Sequence, residues 1–270
     1  MKKYLFSLFL LFFVYNLQSQ VLIALLLGDK LNTGKIDFGL DGGWNFSNIS
    51  DLDADKWDNA FNLGFYFDIK LKDQWLLNTG VLVKGSLGVK ELSREDLVYL
   101  NSSLLDYENE LNENGTYEQN ISYFIVPVLA KYVFKNNFYL EAGPQVALMH
   151  KAWLEYNYEI DGNSTQIKED NKDDVNRLDF GFTGGAGYRL LDGMGWTVGV
   201  RYYHGITNVY KVNSGQKNSA LFLKLNVPIG TSQEKKDEIK DYKVLLKEKK
   251  DKKKDAKKLQ RADNKKDTNI

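Results

Sequence analysis

The chain has 270 residues, 13% of them aromatic, no cysteine, and 36 basic residues against 36 acidic ones. Without cysteine, disulfides, thiolate metal sites and cysteine nucleophiles are all excluded. A mean hydropathy of −0.42 would suit a soluble protein, but that average misleads for a membrane barrel, where only every second strand residue faces lipid.

The chain opens with Met1-Lys2-Lys3 and the apolar run YLFSLFLLFFVYNL, then Gln18-Ser19. A short positive segment, an apolar core and a small residue predict a secretory signal peptide over residues 1–19. The polar break Asn16–Gln20 argues against an uncleaved anchor, because a spanning helix needs about 20 mostly apolar residues. Residues 20–34 form a lead-in: Val21–Leu27 is apolar but too short to span as a helix, and Gly28–Lys35 is polar.

Eight alternating stretches follow between residues 35 and 230. Ile36–Phe46 sets Ile36, Phe38, Leu40, Trp44 and Phe46 against Asp37, Asp41 and Asn45. Phe61–Leu71 is apolar at every odd position, the period of a strand with one apolar face. In Trp75–Val89 the residues Trp75, Leu77, Val81, Val83 and Leu87 oppose Asn78, Lys84 and Ser86. Ile121–Phe134, Phe138–Met149, Leu178–Leu190, Trp196–Thr207 and Ser219–Ile229 repeat the device. The polar connections alternate long and short, with Lys90–Asn120 and Lys151–Asn176 the longest. Trp153, Tyr156 and Tyr158 suggest that strands extend into the latter. An even strand number with all short turns on one side predicts an all-β fold, an eight-stranded antiparallel transmembrane β-barrel with short periplasmic turns and long extracellular loops. A strand of about 11 residues, tilted about 45°, covers the apolar band of about 25 Å.

Volume decides which face is inside. The apolar face carries most of the Phe and Trp, whereas the opposite face is rich in glycine and charge, and an eight-stranded interior is barely wide enough for side chains. Bulky residues therefore face lipid. Trp75, Tyr132, Phe134, Phe138, Tyr188 and Trp196 cluster near the short turns, and Trp44, Phe46 and Phe61 near the long loops, as two interfacial girdles. The predicted lumen holds Asp37, Asp41, Asp68, Lys70, Lys84, Lys131, Glu141, Asp179, Arg189, Arg201 and Lys224. Both signs occur, so a cross-barrel ion-pair network is expected to fill it. Three prolines resist the scheme, because a closed barrel has no edge to hide a missing N–H. A bulge is expected at Gly143-Pro144 and a frayed end at Pro228, while Pro127 has no explanation in the pattern.

From Glu234 onward there are 15 Lys or Arg against 9 Asp or Glu, so residues 231–270 form a basic tail beside an acidic body. Ile239, Tyr242 and Leu246 allow a short helix, and Lys247–Lys258 reads as solvated. With an even strand number this tail is expected in the periplasm.

No chemistry emerges. His150 and His204 are the only histidines; Ser214 and Glu155 are conceivable partners for a hydrolase, but a histidine at a strand end is more often interfacial. The Asp51, Asp53, Asp55 run has Lys56 and Asn62 where a calcium loop needs Gly and Glu. No enzyme activity, cofactor, metal or nucleic-acid partner is expected.

Several short motifs resemble the outer-membrane β-barrel family common in Bacteroidetes, the PorT-like or OmpA/OmpX-like porin-family proteins. They are Tyr123-Phe124-Ile125-Val126-Pro127 through Lys131-Tyr132, Glu141-Ala142-Gly143-Pro144, Gly184–Arg189 and Arg201–Asn208, in that order. The resemblance covers roughly residues 35–229. It implies an integral outer-membrane protein of a Gram-negative cell without enzymatic activity. The partners it implies are outer-membrane lipids and lipopolysaccharide, the barrel assembly machinery during biogenesis, and a secretion system if the chain acts as a PorT-like accessory. Ile125 stands where family members carry an acidic residue, and no aromatic closes the barrel.

Overall fold

The computed structural model describes residues 35–54, 56–106, 115–160, 163–191, 195–212 and 214–229, with further helical positions between 237 and 252. The predicted signal peptide and lead-in, and most of the tail, lie outside the described residues. In the tail, residues 240–245 and 247–249 are helical.

Among the described residues nine strands form: β1 Ile36–Ile49, β2 Lys56–Lys72, β3 Trp75–Lys90, β4 Thr116–Val133, β5 Phe138–Ile160, β6 Asn163–Asp170, β7 Leu178–Arg189, β8 Thr197–Gly205 and β9 Asn218–Pro228. Every ladder is antiparallel, and β1 pairs with β9 while β4 pairs with β5. Eight strands thereby close into a ring. The ninth, β6, pairs only with the distal end of β5, from Trp153↔Asp170 to Ile160↔Asn163. Closure leaves the ring without an edge, which is how an antiparallel sheet satisfies every strand.

The long connections are not loops throughout. Strands β4 and β5 run far past the ring, with Thr116↔Asn157 still in register. The connection after β3 contains helix α1, Arg94–Tyr99. Its start is fixed by a capping box: the Ser93 hydroxyl accepts from the Asp96 N–H at 3.1 Å, and the Asp96 carboxylate accepts from the Ser93 N–H at 3.0 Å. Reciprocal caps of this kind satisfy two otherwise orphaned helix donors.

Two bulges govern the fold. On β3, Val83 and Lys84 together face Phe124, since Leu82↔Ile125 is followed by Gly85↔Tyr123. On β5, His150 is the extra residue between Tyr123↔Met149 and Ser122↔Lys151. An inserted residue exchanges the faces of everything beyond it. Before its bulge β3 turns Leu76, Asn78 and Leu82 inward; after it, Leu87 and Val89 are inward and fully buried. The expected outward Leu87 and inward Lys84 are therefore both corrected by one residue of phase. On β5 the buried set passes from Tyr139, Glu141 and Gln145 to Ala152, Leu154 and Tyr156.

A third irregularity parts β2 from β3 between Trp57 and Leu63. Side chains of β1 fill the gap: Asn45 Nδ2 donates to the Ser86 carbonyl at 2.7 Å, and Ser47 Oγ accepts from the Gly88 N–H at 2.9 Å.

The prolines find places of another kind. Pro144 keeps register with Phe182 of β7, so no bulge forms there. Instead the β4–β5 pairing lapses between Pro127↔Gln145 and Ala130↔Ala142, and the β3–β4 pairing lapses between Thr79↔Val128 and Leu82↔Ile125. Pro127 thus sits where ladder bonds are interrupted, and its carbonyl accepts from Thr79 Oγ1 at 2.9 Å. Pro228 is the last residue of β9.

Candidate functional site

In the half of the ring nearer the short turns, side chains from seven strands join in one polar chain across the axis. Lys131 Nζ of β4 meets Asp68 of β2 at 2.8 Å, and Asn78 Nδ2 of β3 donates to the same carboxylate at 2.7 Å. The Asn78 carbonyl oxygen accepts from Arg201 of β8 at 2.9 Å, and Arg201 Nε donates to Glu141 of β5 at 2.8 Å. Lys224 of β9 stands 3.6 Å from Glu141 and 3.7 Å from Asp41 of β1. Arg189 and Asp37 pair at 3.1 Å nearer the turns, partly exposed.

This chain of alternating sign is nearly inaccessible, since Lys131 is 1% exposed and Arg201 and Glu141 3% each. Buried ions persist when paired with opposite charge, and each charge here has an opposite neighbour, with Lys224 held by ion pairs and not by hydrogen bonds. Strand β7 joins by Thr183, which donates to Gln145 at 3.1 Å, and also contributes room. A Cβ at Gly187 would lie 2.5 Å from the Tyr139 hydroxyl, and one at Gly199 of β8 only 2.3 Å from it. Tyr139 fills that space, and its ring lies 4.3 Å beneath the Lys131 ammonium. A cavity of about 10 Å³ remains beside Asp41, Gln145, Arg201 and Lys224, room for about one water.

The other half has the opposite character. Leu87, Val89, Leu92, Leu97, Leu104, Tyr117, Ile121, Leu154, Tyr156, Val175 and Tyr210 pack into one buried apolar cluster that continues down to Tyr123, Tyr203 and Phe222. Tyr117 and Tyr156 stack with centroids 4.6 Å apart. Helix α1 supplies Leu97, fully buried, and Asp96 ties it to the chain by accepting from the Asp53 N–H at 3.0 Å. The result is a folded cap.

Where the two regions meet stands Asp179. It was expected in the ion network but has hydroxyl and amide donors instead: Thr207 Oγ1 at 2.7 Å, Tyr203 OH at 2.9 Å and Asn218 Nδ2 at 3.1 Å. Lys70 is exposed near the short turn. Lys84 is exposed on the outer wall, 5.5 Å above the Phe61 ring. On the same wall stand Trp44, Phe46 and Phe61 near the cap, and Trp75, Phe134, Phe138, Tyr188 and Trp196 near the short turns, all more than a third exposed. Trp75 packs edge-on against Tyr132, which bonds Gln74.

On the cap, Lys90 lies 3.5 Å from Asp58 and 3.6 Å from Glu118. Burial pushes both carboxyl groups above their ordinary range, and Lys90 offsets only part of that push. The residues considered for hydrolysis stand apart. His150 stacks on Phe124 at 4.6 Å, Glu155 bonds Trp153 Nε1 and pairs with Lys168, and His204 and Ser214 are exposed. Among the described residues no group of three or more metal-ligating side chains forms.

The cap core was missed from the sequence. Its one local signal was Ser93 with Asp96 three residues on, ahead of Leu97, a helix start inside a supposed loop.

The sequence profile of the "outer membrane protein beta-barrel domain" matches residues 18–211. None of the curated proteins matches the chain. Among solved structures, the attachment invasion locus protein Ail of Yersinia pestis aligns at 10% identity over 73% of this chain and 100% of its own, with a TM-score of 0.36. Neisserial surface protein A aligns at 8% identity over 70% of this chain and 96% of its own, with a TM-score of 0.33. The outer membrane protein OprG of Pseudomonas aeruginosa aligns at 13% identity over 71% of this chain and 93% of its own, with a TM-score of 0.31.

Proposed function

The chain belongs to the outer membrane protein beta-barrel domain family, and on that premise we propose that it is a non-enzymatic surface scaffold. It is an outer-membrane protein. Its barrel holds the cap on the outer face of the membrane, and the cap makes the contacts. The observation that carries this reading is the packing along the axis: a closed ion network below, and a hydrophobic core with its own helix and hairpin above. A pore would need a continuous polar path, and the apolar cluster from Phe222 to Leu97 interrupts any such path.

The purified chain in a planar bilayer is expected to show no unitary conductance, and steady open-channel steps would overturn the scaffold reading. The motifs shared with PorT-like Bacteroidetes proteins support a second role, as an accessory of a secretion system. A deletion strain separates the two. Intact export with altered cell-surface adhesion supports the scaffold, whereas loss of export transfers the assignment to the accessory role.

A further inference from the structure

The two bulges have an effect outside the barrel as well as inside it. Each adds an outward residue on a strand flanking β4, opposite Phe124 on β3 and between Tyr123 and Ser122 on β5. On β3 it is Lys84, which the bulge takes from the lumen side to the outer wall; on β5, His150 and Lys151 both leave the interior. Strands β3 and β5 are two sheet spacings apart, about 10 Å. Between them Phe124 is exposed and carries the stacked His150 ring. On the other side of Lys84 lie Phe61 and, edge-on to it at 5.2 Å, Trp44. Two lysines thus flank an aromatic floor at the level of the upper girdle.

Among the described residues no carboxylate lies within 4.0 Å of Lys84 or Lys151. A lysine on the lipid face costs about 2–4 kcal/mol at the midplane and falls toward zero at the interface, so these two need headgroup height and gain from an anion there. The girdle residues Trp44 and Phe61 mark that height. Acyl chains have the aromatic floor to lie on, and lysines on strands two spacings apart suit a headgroup with two separated phosphates better than a single phosphodiester.

The geometry points to an outer-wall site for a phosphorylated, acylated glycolipid of the outer leaflet, with Lys84 and Lys151 on its phosphates and Phe61, Phe124 and Trp44 against its acyl chains. The site rests on the outer-membrane location and not on the scaffold role of the cap, so either can fail alone.

The test uses the full chain in neutral detergent, titrated with diphosphorylated lipid A and followed by native mass spectrometry. Wild type is expected to retain the lipid. Lys84→Gln and Lys151→Gln should each weaken retention about tenfold, the usual worth of one charge-assisted contact, whereas Lys84→Arg should keep it. Lys72→Gln, at the short-turn end, is expected to change nothing. Gel heat-modifiability confirms that every variant is folded. The proposal is overturned if dephosphorylated lipid A or phosphatidylglycerol is retained equally well, or if folded Lys84→Gln and Lys151→Gln bind like wild type.

Discussion

The two halves of this barrel obey opposite rules. Nearer the short turns the wall is inside out, with Trp75, Leu140 and Val198 exposed on the outer wall while Lys131, Asp68, Glu141 and Arg201 are sealed within. Nearer the cap it is the ordinary way round, with Leu87, Val89, Leu154 and Tyr156 buried and Lys90, Glu118, Lys151 and Glu155 outward. The solvent explains the difference. Lipid rewards outward apolar groups and leaves the lumen to balance its own charges; water reverses both preferences. What joins the halves is a single extra residue on each of β3 and β5.

The comparison breaks most severely if the phase beyond a bulge is shifted. Deleting His150 would not shift it, because Lys151 would then follow Met149 on the opposite face as it does now. Inserting one residue after Lys151 would, turning Trp153 and Glu155 into the cap and Leu154 and Tyr156 out of it. Fully exposing Leu154 and Tyr156 costs about 1.5–3 kcal/mol each, and forcing Glu155 inward adds several more. The cap should unfold while the membrane half survives. Limited proteolysis would then remove the cap segments and leave a heat-modifiable barrel; a protease-resistant cap would refute the role given to the bulge.

The same device explains what was legible. On β3 the apolar residues Val81, Val83, Leu87 and Val89 are all odd-numbered, and on β5 Phe138, Leu140, Val146, Leu148, Leu154 and Tyr156 are all even-numbered. Within these sets the parity never breaks, so the pattern reads as one long strand facing lipid. The bulge leaves that parity intact and swings it from lipid to core. The eight strands of the ring, their order and the polar axis could thus be read from periodicity, whereas β6 could not. Lys84 and Leu87 could not, because a one-residue insertion carries no composition signal. Asp179 was misplaced for a related reason: its donors Thr207, Tyr203 and Asn218 come from the upper half, and a carboxylate in an alternating strand does not announce whether cations or hydroxyls await it.

A smaller but sharper perturbation concerns the lower half. Arg201→Met removes the cation bonded to both Glu141 and Asn78 and leaves the buried carboxylate with only the more distant Lys224. Breaking a buried pair from one side costs about 3–5 kcal/mol. The variant should lose its folded, fast-migrating gel form at a correspondingly lower temperature. Adding Glu141→Gln should recover part of the loss, because the stranded charge is gone. If the double variant is as weak as the single, the pair is not the source of the cost.

The smallest effect separates the halves by pH. Asp58 and Glu118 stand outside the membrane span, and burial raises the folded pKa of each. A carboxyl with a raised folded pKa binds its proton more tightly folded than unfolded, so the folded state holds more protons between the two pKa values and stability falls as pH rises through that window. Below the unfolded value of 3.8 for Asp58 both states are protonated and the penalty is absent. Above the folded pKa it is complete. Amide exchange in the cap, normalised for intrinsic rate, should therefore show more protection in mild acid than at neutral pH. Asp58→Asn should flatten that slope while leaving the membrane half unaffected, since it cannot ionise and its Lys90 contact is already outweighed by burial. Protection that increases toward neutral pH would mean that the Lys90 pairing dominates, and the cap's carboxylates would then stabilise it as ions.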